Sequence, residues 1–270
     1  MAIHANDSCN VSLSSIGISN LVGIILPRET VVSGKSLVEL WKLRKVVIPD
    51  GVERIGNYWF WGSCIESVWI PASVQEIGIE AFYDCKKLKK LIFRKSSARK
   101  SSTSFLSQPD SSQLRAIRTR AFYRCSSLAT IDFPNSIEEI GIGAFRATGL
   151  ESAMIPPSTR IIHQGAFSWC RNLQKVVMSN GLETLGTVEC FSGGADSGIF
   201  EESAVKYISL PATLKIIEHS VFRNCKNLRH IQLPDGLMMI GLYAFSGSGL
   251  ENVITPESVR IICQGAFSDC

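Results

Sequence analysis

The feature that most constrains this sequence is a phenylalanine that returns with a fixed period. It recurs at Phe60, Phe82, Phe122, Phe145, Phe167, Phe200, Phe222, Phe245 and Phe267. Successive copies are 22 or 23 residues apart, except where steps of 40 and 33 residues mark two insertions. A period in this range predicts a solenoid, in which each turn packs only against its neighbours.

Each repeat combines two short apolar patterns with that phenylalanine. The first is an apolar-x-apolar segment closed by proline, such as Ile131 to Pro134, whose period of two predicts a short strand. The second is an apolar pair such as Val74 and Ile77, usually followed by a glycine that fits a tight turn. One repeat is too short to bury these side chains alone, so stacked repeats must share a continuous core.

The repeat divides the chain into two regions. Residues 1–23 fit it poorly and are interpreted as an N-terminal cap or a degenerate turn. Residues 24–270 form the repeat region, with insertions near 94–113 and 187–198, and the sequence stops in the middle of a repeat. Both insertions are polar and are predicted to be loops.

The consensus Ile-Pro-x-x-Val-x-x-Ile-Gly-x-x-Ala-Phe-x-x-Cys-x-x-Leu, carried by Ile70 to Leu88, resembles the BspA-like (Treponema pallidum-type) class of leucine-rich repeats. The resemblance extends over roughly residues 24–270. It implies a β-rich fold of the α/β repeat class, namely a right-handed leucine-rich-repeat solenoid with a concave parallel β-sheet. It also implies adhesion or recognition at a surface, with a protein or glycan of host matrix or another cell as partner, and no enzyme activity. The repeat count predicts about ten turns of 22–23 residues.

Composition narrows the classes of function. The net charge is +4 and charged residues make up 19% of the chain, so nucleic-acid binding is not expected. No stretch reaches the roughly 18 apolar residues of a membrane helix, and the N-terminus lacks the basic and apolar regions of a signal peptide. The resemblance therefore predicts a cell-surface or extracellular location, and the missing export signal keeps the cytoplasm as the alternative.

The nine cysteines follow the repeat rather than a pairing pattern. Five of them lie three residues after the recurring phenylalanine: Cys85, Cys125, Cys170, Cys225 and Cys270. A position that recurs in this way predicts packing of free, buried thiols. A disulfide between Cys64 and Cys85 on neighbouring turns is the alternative. No pair of cysteines and no histidine near two cysteines has metal-ligand spacing, so neither a metal nor a cofactor is expected.

The histidines give no support for catalysis. None of His4, His163, His219 and His230 belongs to a recognisable nucleophile arrangement. Residues 121–170 align without gaps to residues 221–270, and this alignment matches His163 with Cys263. A catalytic base would hardly be replaced by cysteine in its duplicate, so we interpret His163 as a surface turn residue and expect no catalytic site.

The first insertion carries the sequence Arg-Lys-Ser-Ser twice. These residue types make Ser96, Ser97, Ser101 and Ser102 candidates for phosphorylation. Eight of the fifteen residues from 86 to 100 are basic, which suits an anion-binding site, but a solvated loop is the favoured interpretation. The alternative function is therefore an intracellular interaction scaffold with a phosphorylatable, basic, Ser-rich loop.

A candidate binding surface follows from the strand pattern. The residue between two inward apolar residues must point outward, onto the concave face. In several turns this outward residue is itself apolar: Val47, Trp69, Ile92, Met154 and Val177. Neighbouring positions supply Lys89, Lys90, Lys175 and Tyr207. An apolar row with a basic margin predicts a site for a protein or glycan partner, with Trp69 as its anchor.

Overall fold

The computed structural model describes residues 23–25, 43–94, 112–186 and 198–270. Most of both insertions, including the candidate phosphorylation sites Ser96, Ser97, Ser101 and Ser102, lies outside these ranges, as do residues 1–22. The described residues form a solenoid of short parallel strands joined by turns, and they contain no helix. The predicted repeat fold is confirmed, and its regular secondary structure in the described residues consists of β-strands alone.

The strands are two to four residues long and pair in parallel. In chain order they are β1 (Gly23–Ile25), β2 (Lys45–Val47), β3 (Arg54–Ile55), β4 (Ser67–Ile70), β5 (Glu76–Ile77), β6 (Lys90–Phe93), β7 (Ala116–Ile117), β8 (Glu139–Ile140), β9 (Ser152–Ile155), β10 (Ile161–Ile162), β11 (Lys175–Met178), β12 (Thr184–Leu185), β13 (Tyr207–Ser209), β14 (Ile216–Ile217), β15 (Met239–Ile240) and β16 (Ile261–Ile262). Each turn therefore contributes at most one strand to each of two lines.

The first line contains the proline-closed strands. It consists of one sheet of β1, β2, β4 and β6 and a second of β9, β11 and β13. Between them the sequence predicts a strand at residues 131–133, but the described backbone forms no strand there. Glu151 N still donates to Ala129 O at 2.9 Å, and Leu128 and Ile131 remain buried. Burial of these apolar side chains holds the segment in place, although it forms no strand with its neighbours.

The second line contains strands of two residues each. It consists of β3, β5, β7, β8 and β10 in one sheet and β12, β14, β15 and β16 in another. The second residue of each strand points into the core, from Ile55 to Ile240. Ile262 of β16, the second strand of the last described turn, is 52% exposed.

The recurring phenylalanines form a continuous stack through the core. Nine rings lie parallel, with neighbouring centroids 4.9–5.6 Å apart. The stack crosses both insertions, since Phe82 lies 5.1 Å from Phe122 and Phe167 lies 5.6 Å from Phe200. Eight steps between nine rings make the described solenoid slightly shorter than the predicted ten turns. The prediction that these side chains are core residues is confirmed for eight of the nine, and Phe267 is half-buried.

Left-handed backbone recurs at two places in each repeat. All twelve non-glycine residues with positive φ among the described ones lie two residues before or two residues after a stacked phenylalanine. Ala147, for example, has φ 57° and follows Phe145 by two residues. The turn around the phenylalanine thus requires this conformation whichever residue occupies it, and tertiary packing offsets the intrinsic cost.

The glycines after the second strands have a different reason from the predicted tight turn. Among Gly56, Gly78, Gly141, Gly186 and Gly241, only Gly186 has positive φ, at 108°. At Gly141 a Cβ atom would lie 2.7 Å from Arg118 C and 2.8 Å from Thr119 N. Close approach of neighbouring turns, rather than backbone conformation, therefore requires glycine there.

The position three residues after the phenylalanine carries either a thiol or a hydroxyl group. Its residues are Ser63, Cys85, Cys125, Thr148, Cys170, Ser203, Cys225, Ser248 and Cys270. Cys85 Sγ donates to Phe60 O at 2.9 Å and lies 3.3 Å from Ser63 Oγ. All seven cysteines among the described residues are free, as predicted, and Cys9 and Cys190 lie outside those residues. The prediction of burial holds for Cys85, Cys125, Cys170 and Cys225 but is wrong for Cys270, which is exposed.

These thiols are expected to be inert in the folded protein. Burial raises the pKa of Cys85 and Cys225 to about 12 and that of Cys170 to about 11, and the thiolate is the reactive form. A thiol reagent at pH 8 should modify the exposed Cys270 quickly and these three only on unfolding, as peptide mapping of the modified protein would show.

Denatured, unreduced protein should titrate nine thiols, whereas loss of six or eight from that count would indicate disulfides.

Candidate functional site

The first strand line presents an outward-pointing column of side chains, which we call the strand face. Val47 is in register with Trp69, and Trp69 with Ile92. All three are half-buried, whereas Val68 and Ile70, on either side of Trp69, lie in the core. The structure thus brings three of the predicted site residues together as one apolar row across three neighbouring turns.

The remaining apolar residues of the predicted site form a separate row. Met154 is in register with Val177, and Val177 with Ser209. Met154 is 69% exposed and Val177 is half-buried. The exposed Asp132 lies in the strandless segment between the two sheets. The predicted site therefore consists of two patches, one around Trp69 and one around Met154.

The basic margin near Trp69 is partly neutralised. Lys89 Nζ lies 3.7 Å from Glu66 Oε2, and Arg44 donates to Glu66 Oε1 at 2.9 Å. Lys90 is exposed in β6, and no carboxylate among the described residues pairs with it. Exposed ion pairs of this kind contribute at most about 1 kcal/mol to stability, so these cations are available to a partner.

The margin of the second patch contains one cation and one aromatic ring. Lys175 is in register with Tyr207 on the next strand. Both side chains are exposed, and Tyr207 is 69% accessible. This pair lies two residues before the Val177 row and widens the patch around Met154.

A second exposed surface, which we call the aromatic–arginine strip, runs along the turns that follow the stacked phenylalanines. It consists of Trp61, Tyr83, Tyr123, Arg124, Arg146, Trp169 and Arg171. The Trp61 and Tyr83 rings are stacked at 5.9 Å, and the Tyr83 and Tyr123 rings at 4.8 Å. Trp61 is 43% exposed and both tyrosines are half-buried. Three aromatic rings therefore form a short outer stack parallel to the phenylalanine stack.

Arginines continue the strip where the outer rings end. The Arg124 guanidinium carbon lies 5.3 Å from the centroid of Tyr123. Trp169 has Arg146 at 6.0 Å and Arg171 at 5.2 Å from its ring centroid. These are cation–π distances. Sequence analysis missed this strip, although aromatic residues directly after the phenylalanine in three successive repeats were a visible signal.

A ladder of charged groups links the second strand line. Arg118 donates to Glu76 Oε2 at 2.7 Å and to Glu139 Oε2 at 2.9 Å. The hydrogen bond to Glu76 is the main reason that the pKa of Arg118 is raised. His163 Nε2 lies 3.3 Å from Glu139 Oε1. His163 directly follows β10 and is half-buried beside Glu139, so its interpretation as a surface turn residue stays a prediction.

The described residues contain no group of three or more histidine, cysteine or acidic side chains that would hold a metal ion. Within the same ranges, no helix is long and apolar enough to cross a membrane.

The profile of the BspA type leucine-rich repeat region matches this chain in six copies, over residues 30–111, 100–197 and 194–270. The chain belongs to the BspA-type leucine-rich repeat family. The resemblance seen in the repeat consensus is thus confirmed. Proteins built from these repeats are interaction modules, and this defines the general function of the chain.

One solved structure, that of the T. pallidum protein, supports this membership. The leucine-rich repeat protein of T. pallidum is 30% identical over 68% of this BspA-type chain and 77% of its own, with a TM-score of 0.53. A leucine-rich repeat protein from Bacteroides ovatus is 22% identical, over 93% and 76% of the two chains, with a TM-score of 0.42. A leucine rich cell surface protein from Faecalibacterium prausnitzii is 20% identical, over 92% and 79%, with a TM-score of 0.38. No curated protein sequence matches the chain.

Proposed function

We propose that this BspA-type repeat protein is a non-enzymatic module that binds a protein or glycan at a cell surface through its strand face. The observation that carries the proposal is the row formed by Val47, Trp69 and Ile92 on three adjacent strands. An apolar row on the outer side of a sheet has no role in the core beneath it. It is therefore available for a partner.

Trp69 is suited to anchor the contact. Tryptophan is enriched among the residues that dominate binding energy, because it buries a large area and fixes few torsions. The Trp69 backbone is held in β4 by ladders to β2 and β6 on both sides. Its half-buried indole leaves surface for a partner while the strand keeps it in place. Preorganisation of this kind lowers the entropic cost of association.

The charges around Trp69 favour an acidic partner. Ser67 of β4 is in register with Lys45 of β2 on one side and with Lys90 of β6 on the other. Cations therefore border β4 on both sides. Arg44 and Lys89 share one carboxylate, Glu66. Lys45 and Lys90 together with Arg44 and Lys89 supply four positive charges, and Glu66 supplies one negative charge. The border of the Trp69 row is therefore positive. Charges at the rim of an interface mainly accelerate association and select partners of opposite charge.

The surface location rests on the family resemblance. The alternative, an intracellular scaffold regulated through the Ser-rich loop, depends on residues outside those the structure describes and stays a prediction. Variants of the strand face test binding to host matrix or to another cell directly.

The test is adhesion of purified chain, displayed on beads, to cultured animal cells and to an immobilised matrix extract. Trp69→Ser should weaken adhesion by about tenfold or more, as expected for an interface anchor. Lys89→Glu combined with Lys90→Glu should also weaken adhesion relative to the parent. This loss should be larger at low salt than at high salt, because the lost attraction is electrostatic. Both proteins should melt within a few degrees of the parent.

The control is Tyr58→Ser, which removes an exposed aromatic side chain that belongs to neither the strand face nor the aromatic–arginine strip. This variant should adhere as the parent does. If the Trp69 and lysine variants also adhere like the parent, the strand face is not the binding site. If the parent itself does not adhere to either target, surface adhesion is wrong.

A further inference from the structure

We propose that the aromatic–arginine strip is a second binding site, whose ligand is an acidic α-helix of a partner protein. The strip lies on the turns that follow the stacked phenylalanines, whereas the strand face lies on the first strand line. The proposal therefore does not depend on the function assigned to the strand face.

The strip has a strong local charge. The five segments that follow the phenylalanines along it contain five lysines or arginines and one carboxylate, a net charge of +4; these segments are residues 61–65, 83–87, 123–127, 146–150 and 168–172. The single carboxylate, Asp84, lies 3.5 Å from Lys86 Nζ. In the next turn Glu201 and Glu202 reverse the sign. The positive charge thus lies in the four turns from Lys86 to Arg171 and fits an anionic ligand of limited length.

The rings of the strip offer edges rather than faces. Tyr83 is sandwiched between Trp61 and Tyr123, with interplanar angles of 14° and 12°. Arg124 covers Tyr123. Because the faces of Tyr83 and Tyr123 are already occupied, neither a sugar ring nor a nucleobase can stack on these two rings. Ring edges carry partial positive charge and the tyrosine hydroxyls donate hydrogen bonds, so the exposed groups favour carboxylates.

The spacing along the strip matches the pitch of a helix. The outer rings are 5.9 and 4.8 Å apart, and an α-helix rises about 5.4 Å per turn. Acidic residues at i, i+4, i+7 and i+11 of a helix place one carboxylate on the same face in each turn. Such a helix can present one carboxylate to each turn of the solenoid. An extended chain, which rises about 3.3 Å per residue, does not keep this register.

The expected footprint is short. Five turns at the ring spacings of 4.8 to 5.9 Å extend over roughly 20 Å, which a helix covers in about 13 residues. A peptide of about 18 alanine-rich residues is long enough to be partly helical alone. The face peptide carries four glutamates at i, i+4, i+7 and i+11. Its isomer has the same composition with the glutamates distributed around the helix.

Fluorescence anisotropy with the labelled peptides tests the proposal on the full chain. The face peptide should bind at least about tenfold more tightly than the isomer, and a heparin oligosaccharide of equal charge should compete poorly. Arg124→Glu combined with Arg171→Glu should weaken binding of the face peptide by a further tenfold or more. The control pair Lys206→Glu and Lys226→Glu changes the net charge equally, off the strip, and should leave binding within about twofold.

Equal binding of the two peptides would overturn the proposal without any variant being needed. So would equal losses in the strip variant and the control, because that result indicates attraction by overall charge alone. Preferential binding of heparin would assign the strip to a sulfated glycan instead. Trp69→Ser should retain full affinity for the face peptide, so failure at one surface is distinguishable from failure at the other.

Discussion

Replacing Phe145 with alanine is expected to lower the free energy of unfolding by about 3–5 kcal/mol. Its ring is fully buried, stacked 5.2 Å from Phe122 and 5.4 Å from Phe167, and meets Phe133 edge-on at 5.4 Å. Each neighbouring ring belongs to a separate turn with its own backbone bonds, so the cavity cannot close easily. Urea denaturation followed by circular dichroism measures the loss, and a change below about 1 kcal/mol would contradict the role of the stack.

Phe267→Ala is the matched control for this prediction. Phe267 occupies the same repeat position but is half-buried and stacks on Phe245 alone, at 5.2 Å. Its truncation removes contacts on one face and leaves no enclosed cavity, so the loss should be about 1–2 kcal/mol. Equal losses at Phe145 and Phe267 would show that local packing, rather than the two-sided stack, determines the cost.

The phenylalanine stack was predictable because it depends on one residue type at one period. Each copy meets the same surroundings as the last, so sequence position determines spatial position. The insertions did not obscure it, since a loop that leaves and returns to the solenoid keeps the register of Phe82 and Phe122. Regular stacking thus transfers directly from the sequence to the core.

The aromatic–arginine strip and the charged ladder were not predicted, because their residue types change from turn to turn. Arg118 bonds to residues 42 positions before it and 21 positions after it. No single repeat contains such a pair. The partners become evident only when neighbouring turns are set in register, and the first insertion hides that register between Glu76 and Arg118.

The strand face was predicted only in part. Alternation along each strand correctly separated the outward Trp69 from the buried Val68 and Ile70. Alternation does not reveal whether adjacent strands form a ladder, and the missing strand at residues 131–133 splits the row. The patches around Trp69 and Met154 are consequently separate, which local sequence pattern could not show.

Gly141→Ala is expected to lower the free energy of unfolding by about 1–3 kcal/mol. The added methyl group would lie within 3 Å of Arg118 C, Thr119 N and Ile117 O, all of them backbone atoms. Backbone in a neighbouring turn cannot yield as a flexible side chain can, so the solenoid must open locally or lose the bond from Gly141 N to Ile117 O, now 2.7 Å. Thermal denaturation should show a lower melting temperature with unchanged secondary structure.

The repeat pattern supports this prediction and supplies its control. From Gly78 onward the position alternates between glycine and a larger residue: Gly78, Arg118, Gly141, His163, Gly186, Glu218, Gly241 and Cys263. A side chain is thus always followed by a turn without one, so Gly141→Ala would place three side chains in succession. Gly236→Ala adds a methyl group 3.7 Å from its nearest neighbour and should be neutral or stabilising by up to about 1 kcal/mol. If Gly141→Ala and Gly236→Ala have the same melting temperature, close approach of the turns does not explain why glycine recurs at this position in alternate turns.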